Sequence, residues 1–323
     1  MSKVIKIGVL GCANIAERFV IPAIKHSSKF EFIGIASRSK EKANKFADKF
    51  NTKAFYSYQS LIESDVEAIY IPLPNSMHYE WIKKSLDEKL HVLVEKSLAC
   101  DLEHVKELNE LARNNKLVLI ENFQFRFHSQ LEFIKNLIDR DCVGELRLVR
   151  SSFGFPAFKD KENIRYQKTL GGGALLDVGA YPLKITQLFL GEDVFVDTSS
   201  LTTPQTEEVD IWGSACIKQK KGSLTSQIAF GFDHFYQNTL EIWGNKGRLQ
   251  AHRVFTAGPG VEPKVTLETN EGTKTYSLPE DNHFINMLHH FHGLVTTGNG
   301  LDVEYKQNIN QARLLSELYE KSK

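Results

Sequence analysis

Ile5-Lys-Ile-Gly-Val-Leu-Gly11-Cys-Ala-Asn-Ile-Ala16 decides how the first part of this chain folds. Ile5 to Gly11 has the apolar alternation of a strand, and Ile15 to His26 carries helical spacing. A glycine fingerprint acquires meaning only in that context, where a strand ends and a helix opens. Gly11 allows the tight turn, and Ala13 is the smallest side chain that can replace a second glycine where a pyrophosphate approaches the backbone. Ala16 permits close helix–sheet packing. The helix start offers unpaired N–H groups to phosphates, which makes Gly11, Cys12, Ala13, Asn14 and Ile15 candidate cofactor-binding residues. An ordinary tight turn is the alternative for this stretch taken alone.

The pattern repeats outward from there. Strands over Phe30–Ser37, Ala68–Pro72, His91–Glu95 and Leu117–Glu121 alternate with helices over Lys40–Phe50, His78–Glu88 and Leu102–Asn114. Such alternation predicts right-handed crossovers and a doubly wound parallel sheet covered on both faces. Beyond residue 121 strand-like stretches follow one another directly, at Leu146–Phe153, Asp210–Lys218, Ser223–Phe230, Asn238–Trp243, Gly247–Ala251, Lys264–Glu268 and Lys274–Ser277. Helical patterns at Ala174–Leu190, Phe284–Val295 and Tyr305–Lys321 accompany them. Consecutive strands point to a mostly antiparallel sheet, hence an α/β domain over 1–121 and an α+β domain over 122–323.

A chain of 323 residues is long enough for two such domains. Hydrophobic residues make up 41% and charged residues 25%, the profile of a soluble globular protein. Forty basic residues balance forty acidic ones, so net charge gives no reason to expect nucleic acid or an anionic membrane as partner. Cys12, Cys100, Cys142 and Cys216 lack metal-ligand or disulfide spacing and read as reduced thiols of a cytoplasmic protein. The start lacks the features of a signal peptide, and no stretch is apolar enough to span a bilayer.

Three further places carry candidate chemistry. The second strand ends Ile35-Ala-Ser37-Arg38-Ser39, where an NAD-preferring domain would carry an acid for the ribose diol. Ser37 and Arg38 suit a 2′-phosphate instead, which favours NADP(H) over NAD(H), with a solvated Arg38 as the alternative. Glu95-Lys96 ends the fourth strand at the carboxyl edge where open α/β sheets bind ligands. A lysine there is either solvated or able to stabilise a developing alkoxide, with Glu95 orienting it. In Gly171-Gly-Gly-Ala-Leu-Leu-Asp177-Val-Gly-Ala-Tyr181, helical spacing puts Asp177 and Tyr181 one turn apart on one face, as a structural pair or half of an active site. His289-His-Phe-His292 has no flanking carboxylate or cysteine at ligand spacing, and its rings fan around a helix, so no metal is expected.

Together with Leu73-Pro74-Asn75-Ser-Met-His78 and His91-Val-Leu-Val-Glu95-Lys96, these stretches resemble, in order and spacing, the Gfo/Idh/MocA oxidoreductases. The likeness runs over essentially the whole chain. It implies a Rossmann domain followed by an open-faced sheet that forms homodimers or homotetramers, a nicotinamide cofactor, and hydride transfer at a sugar-like alcohol or ketone. It adds Leu73, Pro74, Asn75, His78, Glu95, Lys96, Asn122 and Gln124 to the implied cofactor contacts. By the same resemblance Lys96 matches the family's active-site lysine and Asp177 the acid that contacts substrate hydroxyls. Tyr181 matches the branch with tyrosine in place of histidine, that of glucose-fructose oxidoreductase and nucleotide-sugar 3-ketoreductases. Glu121-Asn-Phe-Gln-Phe-Arg126-Phe-His128 and Asn163-Ile-Arg165-Tyr166 look like segments of that branch lining the site, making Arg126 and Arg165 substrate candidates beside Lys96, Asp177 and Tyr181. Ser97 stands where the family carries a cis-proline, and Ala13 where it has a second glycine.

The resulting expectation is reduction of a sugar carbonyl, foremost that of a nucleotide-linked keto-deoxysugar. Tyr181 donates the proton, Lys96 depresses the tyrosine's pKa, and Asp177 orients a neighbouring hydroxyl. Its rivals are a dehydrogenase of a free sugar, polyol or cyclic diol, and a non-catalytic NADP-binding regulator.

Overall fold

The computed structural model describes residues 3–323. The chain forms two compact units, one of Met1–Asn122 with Phe284–Ala312, the other of Phe123–His283 with Arg313–Lys323.

The first unit is wound from β1 (Ile5–Leu10), α1 (Ile21–His26), β2 (Phe30–Ala36), α2 (Lys40–Phe50), β3 (Lys53–Phe55), α3 (Tyr58–Ile62), β4 (Ala68–Ile71), α4 (Asn75–Asp87), β5 (His91–Glu95), α5 (Leu102–Asn115) and β6 (Leu119–Asn122). The sheet order is β3-β2-β1-β4-β5-β6, every pair parallel. The order reverses between β1 and β4, and that switch point opens a crevice at the strands' carboxyl ends. β4 is buried along its whole length, as a strand covered on both faces must be. Sequence reading missed β3 and α3, which are too short to show a period.

The second unit contains α6 (Ser129–Asp139), β7 (Leu146–Phe155), α7 (Ala180–Leu190), β8 (Val194–Thr202), β9 (Trp212–Gln219), β10 (Thr225–Phe232), β11 (Gln237–Gly244), β12 (Gly247–His252), β13 (Lys264–Thr269) and β14 (Gly272–Ser277). Its sheet runs β14-β13-β12-β11-β7-β10-β9-β8, antiparallel except for β7 against β10. α7 packs on one face over an apolar core. The other face carries Arg150, Ser152, Ser214, Cys216, Gln227 and Ala229.

Two final helices, α8 (His283–Thr297) and α9 (Leu301–Lys321), correct the expected boundary. The sequence reading carries the second domain unbroken from 122 to 323, whereas Phe284–Ala312 belongs to the first unit. Ring contacts explain the return: Phe284 stacks on Phe19 at 4.9 Å between centroids, and Phe291 lies 6.4 Å from Phe30. Buried Asn308 donates to Leu119 O and to Asn109 Oδ1, both at 3.0 Å.

Two helix starts are wider than α-helical. Ala16–Val20 and Leu175–Gly179 are π-turns running into α1 and α7. Pro22 and Pro182 follow them, and each ring collides with the carbonyl four residues back, which an i→i−5 turn relieves. The single helices expected over Ile15–His26 and Ala174–Leu190 are thus each a π-turn plus an α-helix.

Candidate active site

At the first unit's switch point, Gly11 has φ +116° and donates its N–H to Ala36 O at 2.9 Å. A Cβ at Gly11 would lie 2.8 Å from Leu73 Cδ2, so only glycine lets the chain turn here. Cys12 and Ala13 are half-buried and Asn14 is exposed, followed by half-buried Ile15. Ser37, buried at the end of β2, accepts from Ser39 N at 3.2 Å. Arg38 is exposed, its guanidinium beside the Tyr58 hydroxyl. Strand end, bare glycine turn and helix start fit a dinucleotide's phosphates, and the exposed guanidinium next to them suits one phosphate more.

The turn after β5 is held from several sides. Half-buried Glu95 accepts from Tyr70 Oη and Asn122 Nδ2, both at 2.7 Å through Oε1. Burial raises its pKa, and these two donors with the Lys96 charge partly oppose the rise. The Lys96–Ser97 peptide is cis although no proline follows the lysine. Ser97 N donates to Asn75 Oδ1 at 3.1 Å, and Leu98 N donates to Glu121 Oε1 at 3.0 Å. His78 is fully buried, with Nδ1 2.7 Å from Ser97 O and Nε2 2.8 Å from Leu73 O. Burial pushes its pKa down to about 4, so the neutral ring donates to one of these carbonyls. Asn75, His78, Glu95 and Glu121 therefore fix the Lys96 backbone. Pro74 starts α4 with φ −59°. Asn122 Oδ1 is buried without a protein partner, an acceptor that fits a carboxamide N–H.

In the second unit Tyr181 sits in a cage of four phenylalanines. Phe153, Phe123, Phe125 and Phe255 lie 5.1, 5.6, 5.7 and 5.7 Å from it between centroids. Asp177, in the π-turn before it, accepts from Arg165 Nε through Oδ2 at 2.6 Å. Asp177 raises the Arg165 pKa against the opposing effect of burial, with smaller contributions from Tyr181 and Tyr166. The guanidinium stacks 5.0 Å over the Phe158 ring. Gln124 is buried on the entry turn with Oε1 unpartnered in the protein, and half-buried Arg126 packs over Phe127 at 5.1 Å.

Sequence reading missed Asp210. Its carbonyl accepts from Ala174 N at 2.8 Å and its Oδ2 from Leu175 N at 2.6 Å, so it caps the helix start that carries Asp177. Gly173 has φ +114°, and a Cβ there would lie 2.5 Å from Asp210 Oδ1. No local signal ties Asp210 to a helix 35 residues earlier. The histidine run has structural partners: His290 Nε2 meets Glu304 Oε1 at 2.9 Å and His292 Nε2 meets Lys3 O at 2.7 Å. Among the described residues no helix is long and apolar enough to cross a membrane.

Residues 5–123 match the model of the oxidoreductase family with an NAD-binding Rossmann fold, and residues 131–250 match that of the GFO/IDH/MocA C-terminal domain. The chain is 36% identical to a dTDP-3,4-didehydro-2,6-dideoxy-alpha-D-glucose 3-reductase of Actinomadura kijaniata, over 96% of this chain and 93% of that one. It is 30% identical to a D-xylose 1-dehydrogenase (NADP(+)) of Haloferax volcanii, over 97% and 96%. A crystal structure of the Actinomadura 3-ketoreductase KijD10 in complex with NADP and TDP-benzene superposes with TM-score 0.95 at 34% identity, covering 98% of each chain.

Proposed function

The chain belongs to the Gfo/Idh/MocA oxidoreductase family, and on that premise we propose that it is an NADP(H)-dependent reductase of a nucleotide-linked keto-deoxysugar. The observation that carries the chemistry is Tyr181, its ring fixed by four phenylalanines four residues after an arginine-held Asp177. The near full-length likeness to a reductase of such a sugar carries the substrate class.

When bound, NADPH supplies a hydride to the carbonyl carbon. Tyr181 gives its hydroxyl proton to the carbonyl oxygen as that oxygen becomes basic. The Lys96 cation stabilises the developing oxyanion and favours departure of the phenolic proton. Asp177 accepts a hydrogen bond from an adjacent substrate hydroxyl, and Arg165 keeps that carboxylate aimed. The backbone of Gly11–Ile15 receives the pyrophosphate, Ser37 and Arg38 receive the 2′-phosphate, and the free acceptors of Asn122 and Gln124 serve the carboxamide. Arg126 contributes positive charge on the substrate side.

The xylose dehydrogenase likeness favours a second reading, oxidation of a free sugar by the same residues. A thermal-shift panel in the presence of NADP+ separates the two, since a ligand that binds the folded state raises Tm. Nucleotide sugars stabilise the protein under the first reading, free pentoses and hexoses under the second. The open face of the second unit's sheet is the surface through which copies of the chain would pair, and the mass in solution tests that.

A further inference from the structure

Asp177 engages one corner of the Arg165 guanidinium and leaves the rest of it uncommitted. The bond runs from Nε to Oδ2 at 2.6 Å, and the other side-chain contact is a long approach of Nη1 to Asn163 Oδ1 at 3.5 Å. Nη2 has no hydrogen-bond partner among the described residues. A guanidinium is a planar fork of N–H donors, so most of this fork lacks a protein acceptor. The Arg165 side chain is 35% exposed, which leaves the edge formed by Nη1 and Nη2 open to a ligand.

The backbone that carries this arginine is held from both sides. Asn163 Oδ1 accepts from Arg165 N at 3.2 Å, and Arg165 O accepts from Gly173 N at 2.9 Å. A Cβ at Gly172 would lie 2.5 Å from Arg165 O, so a bare glycine lets the chain before Asp177 lie against the arginine. The guanidinium stacks over Phe158, whose backbone N donates to the Tyr166 hydroxyl at 3.1 Å. The Phe158 and Tyr166 rings both pack on Phe232, each at 5.9 Å between centroids. Phe232 is in phase with Phe230 on β10, and a Cβ at Gly179 in the π-turn would come within 2.9 Å of the Phe230 ring. Phe158, Tyr166 and Arg165 therefore stand on the sheet face that carries Asp177 and Tyr181, opposite the face of Gln227 and Ala229.

The geometry points to the Nη1–Nη2 edge of Arg165 as the receptor for the sugar-side phosphate of a nucleoside-diphosphate sugar, while its Nε holds the acid that orients the sugar. This rests on the reading of the substrate as nucleotide-linked. Two coplanar nitrogens match two oxygens of a phosphate in a bidentate, charge-assisted pair. A hydroxyl of a free sugar takes one hydrogen bond and leaves the other donors to water. In a pyranose the carbon that bears the phosphate is separated from C3 by a single ring carbon, so one guanidinium can span the phosphate and the acid beside a C3 carbonyl. Lys161, the other cation packed on Tyr166, lies 3.5 Å from Glu207 Oε1 and is already paired. Arg165 thus ties recognition of the nucleotide link to alignment of the sugar, because the phosphate that fixes the guanidinium also fixes Asp177.

Titration calorimetry of the full chain in saturating NADP+, with thymidine diphosphate and thymidine monophosphate as probes, tests the inference. The monophosphate lacks the phosphate that would bear the sugar, and neither probe carries the sugar whose hydroxyl Asp177 accepts. Wild type, Arg165→Gln and Asp177→Asn are compared. The inference expects Arg165→Gln to bind the diphosphate roughly tenfold or more weakly, the loss of one charge-assisted contact, with monophosphate affinity unchanged. Asp177→Asn binds both probes at least as tightly as wild type. Equal diphosphate affinity in wild type and Arg165→Gln, equal losses for the two probes, or the same loss in Asp177→Asn overturns the inference and leaves the reductase reading standing. Absence of thymidine diphosphate binding by the wild type, with turnover of an unlinked sugar, overturns the nucleotide-linked reading and the phosphate role with it.

Discussion

Arg165 reaches across twelve residues to hold Asp177, Nε to Oδ2 at 2.6 Å, so the acid of the π-turn is oriented before substrate arrives. A lysine at 165 keeps a cation but lacks the planar fork. Arg165→Lys is expected to lower kcat/KM for the sugar by roughly 10- to 100-fold, the scale of losing substrate alignment, with KM for NADPH unchanged. Steady-state kinetics with each substrate varied in turn checks this, and an equal loss on the cofactor side would count against it.

Arg38 is exposed beside the end of β2, where no acid stands. Arg38→Ala should weaken NADPH binding about tenfold or more, one charged phosphate contact, while NADH binding changes little. Fluorescence titration of both dinucleotides gives the comparison, and parallel losses would contradict the 2′-phosphate role.

Gly11→Ala puts a side chain on a backbone at φ +116° and a methyl 2.8 Å from Leu73 Cδ2. The variant is expected to lose about 2 kcal/mol of stability or more, with NADP+ affinity falling alongside. Urea unfolding and dinucleotide titration measure the two losses, and a variant with wild-type affinity would remove Gly11 from the phosphate cradle.

His91 accepts a hydrogen bond at Nδ1 from Val118 N at 3.0 Å, and burial with nearby Lys3 pushes its pKa down to about 4. In the unfolded chain it titrates near 6.5. Between those values the unfolded chain holds a proton that the folded chain rejects, so stability is full above about pH 6.5 and falls as pH drops toward 4. At pH 5 His91 costs about 2 kcal/mol. Buried His78 and His283, down to about 4 and about 3, act with the same sign. Urea unfolding at pH 7 and pH 5 should show a smaller acid loss for His91→Gln than for wild type.

The sequence made β1, β2, β4, β5 and β6 legible because strand, turn and helix alternate there with few interruptions, and the glycine at 11 marks the switch point. β8 escaped because a bulge between Val196 and Thr198 breaks its alternation and Asp197-Thr-Ser-Ser200 leaves its outer side polar. α6 escaped because its cap is His128, which accepts from Gln130 N in place of the usual Ser, Thr or Asp. Helical period shows that 284–297 is a helix but not which sheet it covers, and the Phe284–Phe19 and Phe291–Phe30 contacts decide that. In the site, residue type and spacing raised Lys96, Asp177 and Tyr181 as candidates without deciding between structural and catalytic roles, and the family resemblance supplied the roles proposed for them. The phenylalanine cage and the Asp210 cap are assembled from distant segments and leave no local trace.

The central claim is proton donation by Tyr181 to a sugar carbonyl, and turnover of Tyr181→Phe tests it most directly. NADPH oxidation is followed at saturating thymidine-diphosphate-linked 3-keto-deoxysugar, for wild type and variant. The account predicts a kcat lower by roughly 10²- to 10⁴-fold, the usual contribution of a positioned acid, with NADPH affinity and Tm near wild type because the caged ring remains. A variant turning over at the wild-type rate, or a wild type that binds NADPH but reduces no keto-sugar, would contradict it.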